Sequence, residues 1–134
     1  MIDIDCLLCV EDDLSNRLVM KLLVEKTLNV KQYAIFEDSA NFLSRVRNLP
    51  KRPDIILLDI HVSPLNGFQM LQEIRGDSDY FTTKVVALTA SVMNEEVERL
   101  RKSGFDGAIG KPISLSTFPI AIERIMNGES IWQL

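Results

Sequence analysis

Carboxylates, a hydroxyl and an ammonium fall at the ends of apolar runs in this sequence. "CVEDD" places Glu11, Asp12 and Asp13 after one run, "IILLD" ends another on Asp59, "VVALT" ends on Thr89, and "GAIGK" ends on Lys111. Taken singly, each has a plain explanation. An acidic cluster is commonly solvated charge or a helix cap, and Asp13 fits a cap. Together they define a chemistry. Carboxylates gathered at one place repel one another and need a cation. Hard oxygen ligands with open positions suit magnesium, which binds through few carboxylates plus a phosphate. Lys111 supplies a second positive charge and Thr89 a hydroxyl donor, as a phosphoryl group requires. A carboxylate can itself be the nucleophile and form an aspartyl phosphate. Asp59, the last residue of "DIILLD", is the candidate.

For these groups to meet, the runs must be strands of one sheet. The runs lie at 6–10, 33–36, 54–59, 84–88 and 107–110. The first, third and fourth are continuous rather than alternating, which suits strands buried on both faces. Amphipathic segments separate them. Leu18, Leu22, Val24 and Leu28 mark the first, and Phe42, Leu43 and Val46 the second. Phe68, Leu71 and Ile74 mark the third, Val97 and Leu100 the fourth, and Ile120, Ile122, Ile125 and Met126 the fifth. Repeated strand–helix units predict an α/β fold with a parallel sheet and helices on both faces. Gly76-Asp77 and Ser103-Gly104 predict the ends of the third and fourth helices. Pro119 predicts a fifth helix starting near Ser116, with the proline in its first turn. The expected arrangement is a doubly wound five-stranded parallel sheet in the order 2-1-3-4-5. That order is taken from known folds of this kind. It makes the first and third strands neighbours at a switch point, where ligands bind beyond the strand ends.

Composition narrows the class. The chain has 134 residues, 46% of them hydrophobic and 25% charged, as expected of one soluble domain spanning 1–134. Its core is expected over about 5–127, with a short tail at 128–134. Trp132 in that tail is expected to pack back on the body. A net charge of -4 disfavours direct nucleic acid binding. No run approaches a membrane span, and Asp3 and Asp5 stand where a signal peptide is basic, so a cytoplasmic protein is expected. Cys6 and Cys9 form a CxxC, but inside a strand, where residues three apart face opposite sides. They read as small core hydrophobes.

At this point the sequence resembles the receiver domain of two-component response regulators, from about Cys6 to Met126. The family's acidic pair falls on Glu11 and Asp12, its phosphoacceptor on Asp59, its hydroxyl switch residue on Thr89, and its lysine and following proline on Lys111 and Pro112. The resemblance implies a flavodoxin-like fold and a cis Lys111–Pro112 peptide. It implies that Asp59 takes a phosphoryl group from the phosphohistidine of a histidine kinase or phosphotransfer protein. Magnesium would be held by Asp12, Asp59 and the backbone carbonyl of His61, with Glu11 reaching it through water. Thr89, Ala90 and Lys111 would contact the phosphoryl oxygens. The phosphate would then be lost to water. His61 and Ser91 fall at positions that influence phosphate lifetime in the family; for His61 a plain place at the pocket rim is favoured over a catalytic base.

The chain departs from the family pattern near the site. Ser63 stands where the loop proline is usual, and Pro64 follows. The aromatic switch position holds Ala108, so no ring can rotate behind the threonine. The conformational change is therefore expected in the backbone from Ala90 to Asn94 and the start of the fourth helix. The expected partner surface is the face of the fourth helix, fifth strand and fifth helix, centred on Ile109, Gly110 and Ile113, in a monomer or weak dimer. As a stand-alone receiver the chain would signal by docking to another protein rather than as an enzyme. A phosphorylation-independent adaptor of the same shape is the alternative, mildly favoured by Ala108. A flavoprotein or aspartate-nucleophile phosphatase is disfavoured. No Gly-rich phosphate loop follows the first strand, and "DIH" lacks a phosphatase's second acid.

Overall fold

The first strand, β1 (Ile4–Val10), lies between β2 (Val30–Phe36) and β3 (Ile55–Asp59), and β4 (Lys84–Thr89) and β5 (Gly107–Gly110) continue the sheet. All pairs are parallel. This computed structural model describes residues 3–91 and 93–133. Val92, in the expected switching segment, lies outside the described residues.

The sequence reading needs one correction here. The sheet has six strands, not five, in the order β2-β1-β3-β4-β5-β6, because β6 (Ile131–Gln133) adds in parallel to the outer edge of β5. The expected short tail is thus part of the sheet. Trp132 does pack back, lying opposite Ala108 and against the core.

Helices cover both faces. On one side α1 (Leu14–Lys26) and α5 (Phe118–Met126) enclose Leu7, Cys9, Leu57, Val86 and Leu88. On the other, α2 (Phe42–Arg47), α3 (Gly67–Arg75) and α4 (Asn94–Ser103) enclose Leu8, Val10, Ile56, Leu58 and Ala87. Strand alternation divides the two clusters. It also puts Cys6 and Cys9 on opposite faces, both buried and unpaired. Burial, and then the charges of Glu11 and Asp59, push the Cys9 thiol far up, so it stays protonated and inert.

Local signals explain the helix ends. Asp13 caps α1, its carboxylate accepting the Asn16 N–H at 2.9 Å. Asn66 and Gln69 form a reciprocal capping box at α3. Gly104, at φ 106°, ends α4, and Pro119 falls in the first turn of α5. Two expected inward residues of α1 face out instead. Leu18 and Leu22 are exposed, while Met20, Leu23 and Val24 take the core. Ile120 of α5 is exposed in the same way. No helix among the described residues is long and apolar enough to cross a membrane.

Gly67 seats α3 beside the end of β3. A Cβ there would come within 2.6 Å of Ile60 Cδ1 and 2.9 Å of Ile60 Cα. Gly67→Ala is therefore expected to cost about 1–3 kcal/mol by overpacking. The midpoint of urea unfolding should fall with the slope unchanged. An unaltered midpoint would show that the loop relaxes freely.

Candidate functional site

Parallel strands bring their carboxyl ends to one edge, and the expected groups meet there. Asp59 is the last residue of β3, paired with Leu88 and 2% exposed. Its two oxygens have different partners. Oδ1 accepts the His61 N–H at 3.0 Å, and Oδ2 accepts from Lys111 Nζ at 3.1 Å. Lys111 Nζ also donates to Glu11 Oε1 at 3.2 Å. The backbone N–H of Lys111 donates to the Thr89 carbonyl at 2.8 Å, which holds the lysine at the strand ends. The Lys111–Pro112 peptide is cis, and so is Ser63–Pro64.

Carboxylate oxygens of Glu11, Asp12 and Asp59 all lie within 4.8 Å of one another. Glu11 is the more deeply placed of the acidic pair, while Asp12 is exposed. Glu11 Oε2 also accepts the Asp13 N–H at 3.1 Å. The electrostatics follow from this geometry. Burial, and then the adjoining Asp59 carboxylate, push Glu11 up to about 7. Burial would also raise Asp59. The His61 N–H, its contact with Glu11 and the Lys111 ammonium outweigh that and hold Asp59 below the usual carboxylate value. Lys111 shows the converse. Burial would lower it, but the two carboxylates hold it above its usual value, so it stays charged. Asp59 is thus an ionised carboxylate in a nearly dry position, with a fixed cation beside it. Three carboxylates against one ammonium leave excess negative charge among hard oxygens, a donor set that fits magnesium.

Thr89 is buried at the end of β4, but its hydroxyl is engaged elsewhere. Oγ1 accepts the Ser91 N–H at 3.1 Å and donates to the Ser91 carbonyl at 3.2 Å. Ala90 is exposed between them, and His61 is exposed at the rim. Ala108 is fully buried on the α4 side of β5.

Two supporting residues escaped the sequence reading. Ser39 is fully buried, and its hydroxyl donates to the Leu65 carbonyl at 2.6 Å while accepting the Leu65 N–H at 2.7 Å. It ties down the loop between Asp59 and α3. Arg17 donates to the Asp12 carbonyl at 2.7 Å and the Glu11 carbonyl at 3.2 Å, fixing the acidic loop from α1. A basic residue spaced from "EDD" by one helical turn was the available signal for Arg17. Ser39 offered none.

This fold, with an acidic cluster and a lysine at the switch point, is that of a receiver. The chain belongs to the response regulator receiver domain family, which matches it over residues 7–123. It is 27% identical over 129 residues to a probable transcriptional regulator, ycf29, of Cyanophora paradoxa, covering 96% of this chain and 59% of that protein. It is 36% identical over 67 residues to the polar-differentiation response regulator DivK of Brucella anthropi, covering 50% of this chain and 54% of that one. The matches thus span little more than half the length of these relatives. Among solved structures, the receiver domain of the sensor histidine kinase PA1611 of Pseudomonas aeruginosa superposes with a TM-score of 0.79 at 22% identity, over 92% of this chain and 98% of that one. That structure has a magnesium ion coordinated in its active site cleft.

Proposed function

We propose that this chain is a phosphoacceptor of a two-component phosphorelay, with residues 1–134 acting as one receiver domain. One observation carries the reading: Asp59 is buried at a strand end, ionised, and held by a lysine that a second buried acid also holds. A carboxylate so placed has few structural uses and a clear chemical one.

An oxygen of Asp59 attacks the phosphorus of a phosphohistidine on a histidine kinase or phosphotransfer protein. The P–N bond breaks, and its electron pair returns to the imidazole nitrogen, which takes up a proton. Lys111 meets the charge on the transferring oxygens, together with the Thr89 hydroxyl and the Ala90 N–H. Asp12, Asp59 and the His61 carbonyl, with Glu11 through water, would hold a magnesium ion, whose charge would offset that of the phosphoryl group when bound. Water later attacks the phosphorus and regenerates Asp59. His61 and Ser91, at the family's phosphate-lifetime positions, would set how fast that happens. The exposed leucines of α1, Leu14, Leu18 and Leu22, run from the acidic loop at helical spacing. They give the phosphodonor protein an apolar surface that begins next to the acidic loop.

The signal arises at Thr89. To reach a phosphoryl oxygen its hydroxyl must leave Ser91, which frees the backbone after β4. Movement there and at the start of α4 is the output, read in the cytoplasm by another protein.

Acetyl phosphate with magnesium should add one phosphoryl group, seen by intact mass. Asp12→Asn should weaken magnesium by about tenfold or more, since the ion is held by few protein oxygens. Calorimetry reads that loss, with circular dichroism to show the fold retained. Unchanged magnesium affinity in the variant would place the ion elsewhere and remove the support that the acidic cluster gives.

A further inference from the structure

β6 is short, yet the chain is shaped to receive it. Gly107 lies opposite Ile131, and a Cβ at Gly107 would come within 2.7 Å of the Ile131 carbonyl oxygen. Only glycine lets the strand approach so closely. Gly128, at φ 100°, turns the chain out of α5. Arg124 then holds both carboxylate oxygens of Glu129, at 2.9–3.3 Å. Ile131 is buried on the α5 side, and Trp132 turns to the other face beside Ala108. The Arg101 guanidinium, in the last turn of α4, lies 5.2 Å from the indole centroid. Within the expected partner face, the outer edge of β5 is thus paired from Gly107 to Ile109, and Ile109 is 7% exposed.

The hold is specific, and its charged anchors lie at the surface while Ile131 and Trp132 supply the apolar contact. The Arg124–Glu129 pair is exposed, where water and salt screen it. The cation–π contact comes from an exposed arginine. A three-residue strand with such anchors is among the segments that open locally. Two structural routes also join it to the Asp59 site. Thr89 pairs with Gly110 on one edge of β5, while Gly107 to Ile109 pair with β6 on the other. Helix α4, which follows Thr89 in the chain, carries Arg101 to the indole.

We propose that the outer edge of β5 is a strand-accepting groove for an extended segment of a partner protein, filled in the resting chain by residues 129–133, and that a phosphoryl group on Asp59 weakens this filling. The inference rests on the phosphoacceptor reading above. The partner segment it fits has the chemistry of the resident one: an acid to meet Arg124, then an aliphatic residue against α5 and an aromatic residue against α4. Its backbone pairs with β5, and its alternating side chains give selectivity. Ala108 leaves the room beside β5 that the aromatic residue takes.

Trp132 is the sole tryptophan, so its emission reports on the groove directly. The full chain is titrated with beryllofluoride and magnesium, with binding of the analogue followed separately by calorimetry. The expected result is a red shift and a roughly threefold rise in acrylamide quenching, as the local segment opens. A dye-labelled peptide of residues 128–133 should then bind about tenfold more tightly than to the unmodified chain, as the competent state becomes populated. Bound analogue with unchanged emission overturns the inference and leaves the phosphoacceptor reading intact. Changed emission with no gain in peptide affinity shows a tail that moves but no groove that accepts, and also overturns it. Failure of the analogue to bind overturns both.

Discussion

Asp59→Asn is expected to abolish phosphorylation by acetyl phosphate, taking intact-mass labelling from one group to none. An amide has no charged oxygen to attack phosphorus, and the other acids are poorly placed to substitute. Glu11 is buried and both its oxygens are engaged, Oε1 by Lys111 Nζ and Oε2 by the Asp13 N–H. Asp12 is exposed, without the lysine contact that Asp59 and Glu11 share. The fold should survive. Asn has nearly the shape of Asp, but it offers one acceptor where two donors converge, the His61 N–H and Lys111 Nζ. One donor therefore loses its partner, at about 1–3 kcal/mol. That is less than the roughly 5–15 kcal/mol stability of an ordinary domain. Full labelling of the variant would mean that another group is the acceptor.

Lys111→Ala should move two properties in opposite directions. The ammonium is aimed at the carboxylate that would carry the phosphoryl group, so its loss should slow labelling by about 100-fold, the usual effect of removing one preorganised donor. The same ammonium competes with magnesium for Glu11 and Asp59, since it sits 3.2 and 3.1 Å from their oxygens. Removing it leaves the acids uncompensated, and magnesium affinity should rise by on the order of tenfold. Without magnesium the variant should lose stability, because two buried carboxylates lose their partner, and magnesium should restore it. Stopped labelling measured at saturating magnesium, beside calorimetry, separates the effects. A fall in both properties would mean that the lysine organises the site rather than completing it.

Much of this was legible in the sequence because a parallel sheet converts strand ends into one place. A switch from apolar to polar marks such an end, and Asp59, Thr89 and Lys111 each follow an unbroken apolar run. Their convergence needs only the strand order. Lateral and rotational details were not legible. β6 has three residues and no period, and its docking depends on the smallness of Gly107 and Ala108, which means nothing until a neighbour is known. Helix α1 is apolar on several sides, so Leu18 and Leu22 could not be told from Met20 and Leu23 by type. The turn of the Thr89 hydroxyl toward Ser91 is a rotamer, which composition does not record. Ser39 acts across a loop far away in sequence, where no spacing rule reaches.

The central claim is that Asp59 itself carries the phosphoryl group. Borohydride reduction tests it most directly, since an acyl phosphate on an aspartyl side chain is converted to the alcohol, leaving homoserine. The protein is labelled with acetyl phosphate and magnesium, reduced, digested and sequenced by tandem mass spectrometry. Homoserine at position 59 alone, and none in the unlabelled control, is the expected result. Homoserine at Asp12 or Asp13, or a labelled protein that yields none at position 59, would contradict it.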